Sequence, residues 1–187
     1  MSGTGNAPPE DSLQSLKEAL ANTSLPPVHL WNPTQCRSID MRIARNGEWF
    51  YNGSVIARKR MVKLFSTVLR ADNDGHTYLV TPHEKLRIVV EDAPFTAVLL
   101  KKEGKGKNAG LVFTLNTGQS VLAGAHNPIS VEYKTPGGEP SPYVLVRDNL
   151  RALVSRSVFI ELAQIAQPVN GVLGVYSDGH FMPLAES

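Results

Sequence analysis

Residues 39–92 read IDMRIARNGEWFYNGSVIARKRMVKLFSTVLRADNDGHTYLVTPHEKLRIVVED, and three patterns in them set the architecture. Ile39, Met41 and Ile43 alternate with Asp40, Arg42 and Ala44, the period of a strand with one buried face. Asn46-Gly47 and Asn52-Gly53 are hairpin signals of the type I′ kind, with Trp49-Phe50-Tyr51 between them, so a tight three-stranded meander is expected over 39–57. Met61, Leu64, Phe65 and Val68 then fall at i, i+3, i+4 and i+7, which predicts a helix over 58–69. Arg58 precedes Met61 by three and Phe65 by seven, so it is expected on that apolar face, while Lys59 and Lys63 go to solvent. After a turn at 72–75, strands are expected over 76–80 and 85–90, joined by Thr81-Pro82-His83-Glu84. Pro94 has no N–H to give a ladder, and a domain boundary is placed there.

Outward from this unit, residues 1–10 are small, polar and Pro-containing, a composition that does not build a core. Leu13, Leu16 and Leu20 share one helical face, capped by Asp11 or Ser12. A helix packed on the body of the protein is expected, with a partner-binding arm as the alternative. Residues 28–37 read as a loop. Beyond 95 the chain is strand-rich, with hairpins around 116–118, 148–149 and 177–179 and a flexible loop at 103–108. A helix is expected over 156–167. That second helix overlays the first at an offset of 98 residues: Arg58 meets Arg156, Met61 meets Phe159, Val62 meets Ile160 and Leu64 meets Leu162. The expected fold class is therefore α+β, with a terminal segment 1–24, an N-terminal domain 25–94 and a C-terminal domain 95–187, both built on one duplicated hairpin–helix–hairpin unit.

Composition narrows the function. Of 187 residues, 42% are apolar and 19% charged, ordinary for a globular protein. The net charge of +2 is too small for a nucleic-acid footprint. Its distribution is uneven: residues 39–107 hold 13 Lys/Arg against 8 Asp/Glu, whereas the flanks carry −1 and −2. Cys36 is the single cysteine, which excludes a disulfide framework and a cysteine-based zinc site and fits a reducing cytoplasm. Met1 to Glu10 hold no basic n-region and no apolar run, so a signal peptide is not expected, and the longest apolar runs are far short of a membrane span, so neither membrane nor nucleic acid is an expected partner.

No catalytic motif stands out. Gly104-Lys105-Gly106-Lys107 lacks the phosphate-loop frame and lies between strands. His83 beside Glu84 makes no dyad by spacing, and the other histidines have no metal-ligand spacing. No cofactor, metal or catalytic residue is expected, and a binding protein is favoured over an enzyme. An arginine on the buried side of a helix start must meet an anion, because an unpaired buried charge is costly. The anion is either an internal carboxylate or a ligand phosphate at the helix N-terminus. Trp49 and Tyr51 share a strand face and serve either as core or as a stacking platform.

Ile39-Asp40-Met41-Arg42-Ile43-Ala44-Arg45, Trp49-Phe50-Tyr51, Leu64-Phe65-Ser66-Thr67-Val68-Leu69, the run Leu79-Val80-Thr81-Pro82 through Glu91-Asp92-Ala93-Pro94-Phe95, and Pro142-Tyr143-Val144 with Val146-Arg147 together resemble the bacterial domain-of-unknown-function family twelve-eighty-five. The likeness covers nearly the whole chain after Pro26. It implies two duplicated α+β domains, the second resembling a pleckstrin-homology β-barrel closed by a helix, with a nucleotide-like ligand between them and a role in signal transduction. It supplies no catalytic residues. The expected site is Arg58, Arg42 and Arg87 on the anion, Asp40, Glu84 and Asp92 orienting them or meeting a sugar, and Trp49 and Thr81 completing the lining. The alternative is a protein–protein adaptor with no small ligand.

Overall fold

The computed structural model describes Leu20 and residues 24–185. Leu13 and Leu16 of the expected N-terminal helix lie outside the described residues. The described chain is mostly β, in two domains, with two α-helices after residue 24. The first sheet uses β1 (Gln35–Ile43), β2 (Trp49–Tyr51), β3 (Ser54–Val55), β4 (Leu69–Ala71), β5 (Thr77–Val80) and β6 (Glu84–Val90), with helix α1 (Lys59–Thr67) between β3 and β4. The second uses β7 (Phe95–Glu103), β8 (Gly110–Leu115), β9 (Ser120–Leu122), β10 (Ile129–Tyr133), β11 (Pro140–Arg147) and β12 (Leu150–Val154), followed by α2 (Arg156–Ile165). A small third sheet, β13 (Gln167–Val169), β14 (Val172–Ser177) and β15 (His180–Pro183), ends the description.

Strand order is β3-β2-β1-β6-β5-β4 in the first sheet and β10-β11-β12-β7-β8-β9 in the second. Read from β9 backwards the second has the order of the first, and in both the central pair is parallel, β1 with β6 and β12 with β7. The helices do not occupy equivalent places in that scheme. One is the crossover between two three-stranded meanders, and the other follows its sheet. The overlay of Arg58 on Arg156 therefore aligns two topologically different helices.

The hairpins form where Asn, Asp and Gly tolerate positive φ. Asn52-Gly53 is the type I′ turn expected, with φ of 47° and 78°. Asn46-Gly47 is not, because only Gly47 has positive φ. Gly47 N–H donates to Ala44 O and Ala44 N–H to Glu48 O, a three-residue connection closed by a left-handed glycine. Asn170-Gly171, unforeseen in the sequence, turns β13 into β14, and Pro168 sits in that edge strand rather than only stopping a helix. Strand β1 starts four residues before the expected Ile39, and β11 takes in Pro140 and Pro142 from the expected loop.

One apolar core runs through both domains, joining Ile43, Trp49 and Leu69 of the first to Phe95, Phe113, Leu150 and Leu162 of the second. Ile39, Met41 and Ile43 face it, as alternation requires. Helix α1 is rotated from expectation. Its buried side is Val62, Phe65 and Ser66, whereas Met61 and Leu64 are exposed, Leu64 at 63%. Ser66 tolerates burial because its hydroxyl donates to Lys63 O at 2.7 Å, so that a small residue faces the second domain.

Candidate functional site

The sequence-derived site does not assemble in one place. Arg58 is the N-cap of α1 with extended backbone (φ −78°, ψ 100°), so the helical period does not reach it. Its side chain is exposed and makes no ion pair among the described residues, which corrects the expectation that it points inward. Arg156, its counterpart, is exposed as well. Arg42 lies on the outer face of the first sheet, paired with Glu91 and stacked 4.2 Å over Phe50. Arg87 is exposed on that same outer face, between Ser38 and Tyr78. Asp40 is exposed, and its carbonyl accepts the Asn52 N–H.

Glu84 accepts from Arg37 Nε at 3.0 Å, and Thr81 Oγ1 is occupied by its own turn, accepting the Glu84 N–H at 3.1 Å. These two stand at one end of β6 and Asp92 just past the other, roughly 20 Å away at about 3.3 Å per residue. A single small ligand does not bridge them. Asp92 has a side chain only 3% exposed and ties the domains together. It accepts from Tyr143 Oη at 2.7 Å and Lys134 Nζ at 3.0 Å in the second domain, and from Arg45 Nε at 3.2 Å in the first. Burial raises its pKa, but the hydrogen bonds from Tyr143 and Lys134 and the charges of Lys134 and Arg45 outweigh this and hold it below the usual carboxylate range. Burial, and then the Asp92 carboxylate, pushes Tyr143 up to about 12.

What the fold does assemble is a basic groove where α1 lies over the β8–β9 turn, Asn116-Thr117-Gly118. Two adjoining cavities, about 550 and 500 Å³, share Lys63, Thr117 and Gly118. The first is lined by Lys59, Arg60 and Trp49, and the second by Arg147, Gln119 and Thr67. Across both, four cationic side chains, Lys59, Arg60, Lys63 and Arg147, face one carboxylate, Glu48, which is itself bonded to Asn46. None of the four cations has an ion-pair partner among the described residues.

Arg147 carries the most information. Its Nη2 donates to Ser66 O at 2.5 Å and its Nη1 to Gln119 Oε1 at 3.2 Å, and the guanidinium lies 5.3 Å from the centre of the Phe95 ring. The Ser66 carbonyl belongs to the last turn of α1, where the helix dipole is negative. Burial holds the Arg147 pKa below the ordinary arginine value. Two buried polar atoms on the groove have no partner among the described residues, Thr117 Oγ1 and Trp49 Nε1. Trp49 is otherwise core, stacked on Phe65 with ring centroids 6.3 Å apart. The hairpin tip of the first domain closes the groove: Asn116 Nδ2 donates to Gly47 O at 3.2 Å, and Thr96 N–H to Asn116 Oδ1 at 3.1 Å.

Of the expected site residues, only Trp49 lines this groove. A helical phase set on Met61 and Leu64 sends Lys59 and Lys63 to solvent, whereas the structure exposes Met61 and Leu64 and places both lysines on the groove. Arg147 closes the Pro142–Arg147 motif, but its position against α1 depends on a contact 81 residues away in sequence. Among the described residues no group of three or more His, Cys, Asp or Glu is placed to hold a metal. No helix among them is long and apolar enough to cross a membrane.

Fold and groove define a two-domain, mostly β protein with a cationic cleft at its domain junction. Residues 26–93 match the domain of unknown function DUF1285, N-terminal domain, and residues 94–184 match the DUF1285 C-terminal domain, so the chain belongs to this family. The crystal structure of a DUF1285 family protein from Silicibacter pomeroyi DSS-3 is similar at 45% identity, covering 92% of this chain and 93% of that one, with a TM-score of 0.82. A second, from Shewanella baltica OS155, shares the fold at 23% identity over 66% of this chain and 90% of that one, with a TM-score of 0.53. Among curated proteins none matches the chain.

Proposed function

We propose that the protein binds a small phosphorylated, nucleotide-like ligand in the groove between its domains and acts in the cytoplasm as a signalling component rather than an enzyme. The observation that carries this is the charge balance of the groove, four unpaired cations against Glu48. Such a cleft concentrates anions. Lys63 and Arg147 fit a phosphate, and Trp49 with Asn46 and Asn116 fits a flat hydrogen-bonding group beside it. The shared strand order of the two sheets supports a duplicated unit. The packing of α2 against β7 and β14 supports a pleckstrin-homology-like second domain.

The test is thermal stabilisation by pyrophosphate and by ADP. A ligand at 100 times its Kd stabilises by about 2.7 kcal/mol, and Lys63→Ala, an exposed position, is expected to remove most of that shift. Arg58→Ala, outside both cavities, is expected to leave it intact. Absence of any shift, or a shift indifferent to Lys63→Ala, overturns the proposal.

An adaptor role is the second reading. It is favoured by a cavity of about 800 Å³ lined by Ile129, Val131, Val172, Phe181 and Pro183, with no charged side chain. A protein partner lost on Val131→Asp would support it.

A further inference from the structure

The outer face of the first sheet is covered on one half only. On the β4–β5 side the chain covers itself. Val28 and Trp31 pack with Tyr78 and Val80, which are buried, and Arg70 Nη1 holds that cover by donating to Val28 O at 2.9 Å and to Trp31 O at 2.7 Å. On the β2–β1–β6 side the face is bare. The Cα partners Val55, Phe50, Arg42 and Val89 form one row across four strands, and partners directly opposite share a face. Val55 and Val89, the apolar ends of the row, are 50% and 58% exposed. Val89 stands on the parallel pair β1–β6, and parallel sheets are characteristically covered on both faces.

The charges on the bare half indicate what covers it. Arg42 is answered within the chain by Glu91. Asp40 of β1 and Arg87 of β6 are exposed on this face on neighbouring strands, and neither has an ion pair among the described residues. These two arginines and two carboxylates cancel, although residues 39–107 as a whole hold 13 Lys/Arg against 8 Asp/Glu. A neutral face with one unpaired anion beside one unpaired cation is complementary to its own copy after a half-turn, because an isologous contact brings residue i onto j and j onto i. A uniformly basic or acidic partner satisfies one of the two charges and opposes the other.

We propose that the protein self-associates as a two-fold dimer through the bare half of this face, with Phe50 and Val89 at the apolar centre. Asp40 of each copy then meets Arg87 of the partner subunit, once on each side of the axis. The dimer is independent of the groove ligand, since Asp40, Arg87 and Val89 line neither cavity of the groove.

Sedimentation velocity of the full chain across a dilution series is expected to show a monomer–dimer equilibrium. Val89→Asp buries a carboxylate at the centre of the contact and is expected to weaken dimerisation about tenfold or more, whereas Ile160→Asp, half-exposed on α2, leaves it unchanged. Asp40→Arg and Arg87→Asp each set like charges opposite one another, and each variant alone is expected to be monomeric. Mixed in equal amounts, the two are expected to form a heterodimer, because every facing pair then joins opposite charges. Both substitutions lie at exposed positions, and an unchanged melting temperature is the control for folding. A wild-type chain that stays monomeric throughout the series overturns the dimer. So does a dimer indifferent to Val89→Asp, or a mixture of the two charge variants that remains monomeric.

Discussion

Replacing Asp92 by alanine tests the domain junction. The substitution strands the Tyr143 hydroxyl in a residue with 0% exposure, and an orphaned buried donor costs roughly 1–3 kcal/mol. Arg45 and Lys134 have side chains 57% and 48% exposed; they return to water, and each exposed pair is worth about 0–1 kcal/mol. The total is about 1–5 kcal/mol, which at roughly 2–4 °C per kcal/mol for a chain of this size lowers Tm by about 9 °C at the centre of the range. The partition is checked by a double-mutant cycle. Tyr143→Phe destabilises the wild type but is neutral or stabilising in the Asp92→Ala background, because it deletes the stranded hydroxyl. The sign with pH follows from the depressed Asp92 pKa. Its contribution is complete above the unfolded carboxylate value, about 4, and fades as pH falls through the lower folded value. The gap between wild type and Asp92→Ala therefore narrows in acid. Calorimetry from pH 7 to pH 3 reads all of this. A variant melting within about 1.5 °C of wild type, or a cycle with coupling below about 0.5 kcal/mol, refutes the junction as described.

Gly47 has φ of 88°, and an added Cβ would stand 2.8 Å from both Asn116 Nδ2 and Thr96 Oγ1. Gly47→Ala is expected to cost upwards of about 1 kcal/mol from backbone strain alone, seen as a lower urea midpoint. Leu162→Ala empties a fully buried position on α2, with an expected loss of roughly 2–5 kcal/mol, while Ile160→Ala, half-exposed on the same helix, costs far less by the same melt. Asp72 is held below the usual carboxylate range first by its hydrogen bond from Arg70 and then by that from Lys85. Asp72→Asn is therefore expected to lower Tm at pH 7 and to lose that effect toward pH 3.

Local signals were legible where one short-range cause acts alone. The face of β1 followed from alternation, Asn52-Gly53 from its positive φ, and the final hairpin from Asp178-Gly179. The sequence misled where a contact from another domain takes part. Met61-Leu64-Phe65-Val68 is the more apolar stripe of α1, but the helix turns Val62, Phe65 and Ser66 toward the shared core, where Arg147 of the second domain donates to the Ser66 carbonyl and the serine hydroxyl is kept by its own helix. That rotation brings Lys59, Arg60 and Lys63 to the groove, while Arg58 stays outside it as an N-cap with extended backbone. Arg42, Arg87, Glu84 and Asp92 all lie on or beside strands, and a strand spreads such residues over two faces and its full length. Proximity in sequence along a strand does not bring side chains together.

The parallel centre of each sheet bears on how the molecule is built in time. Each three-stranded meander can form from neighbours, but Gln35 must find Glu84, and Phe95 must find Ala152, so each seam closes a loop of about fifty residues or more and bears the chain-entropy cost of doing so. The seams, not the hairpins, then set the folding rate. A nick between β3 and β4, or between β9 and β10, divides a sheet into halves that each keep every antiparallel pairing. Such fragments are natural candidates for reassembly from two separate chains.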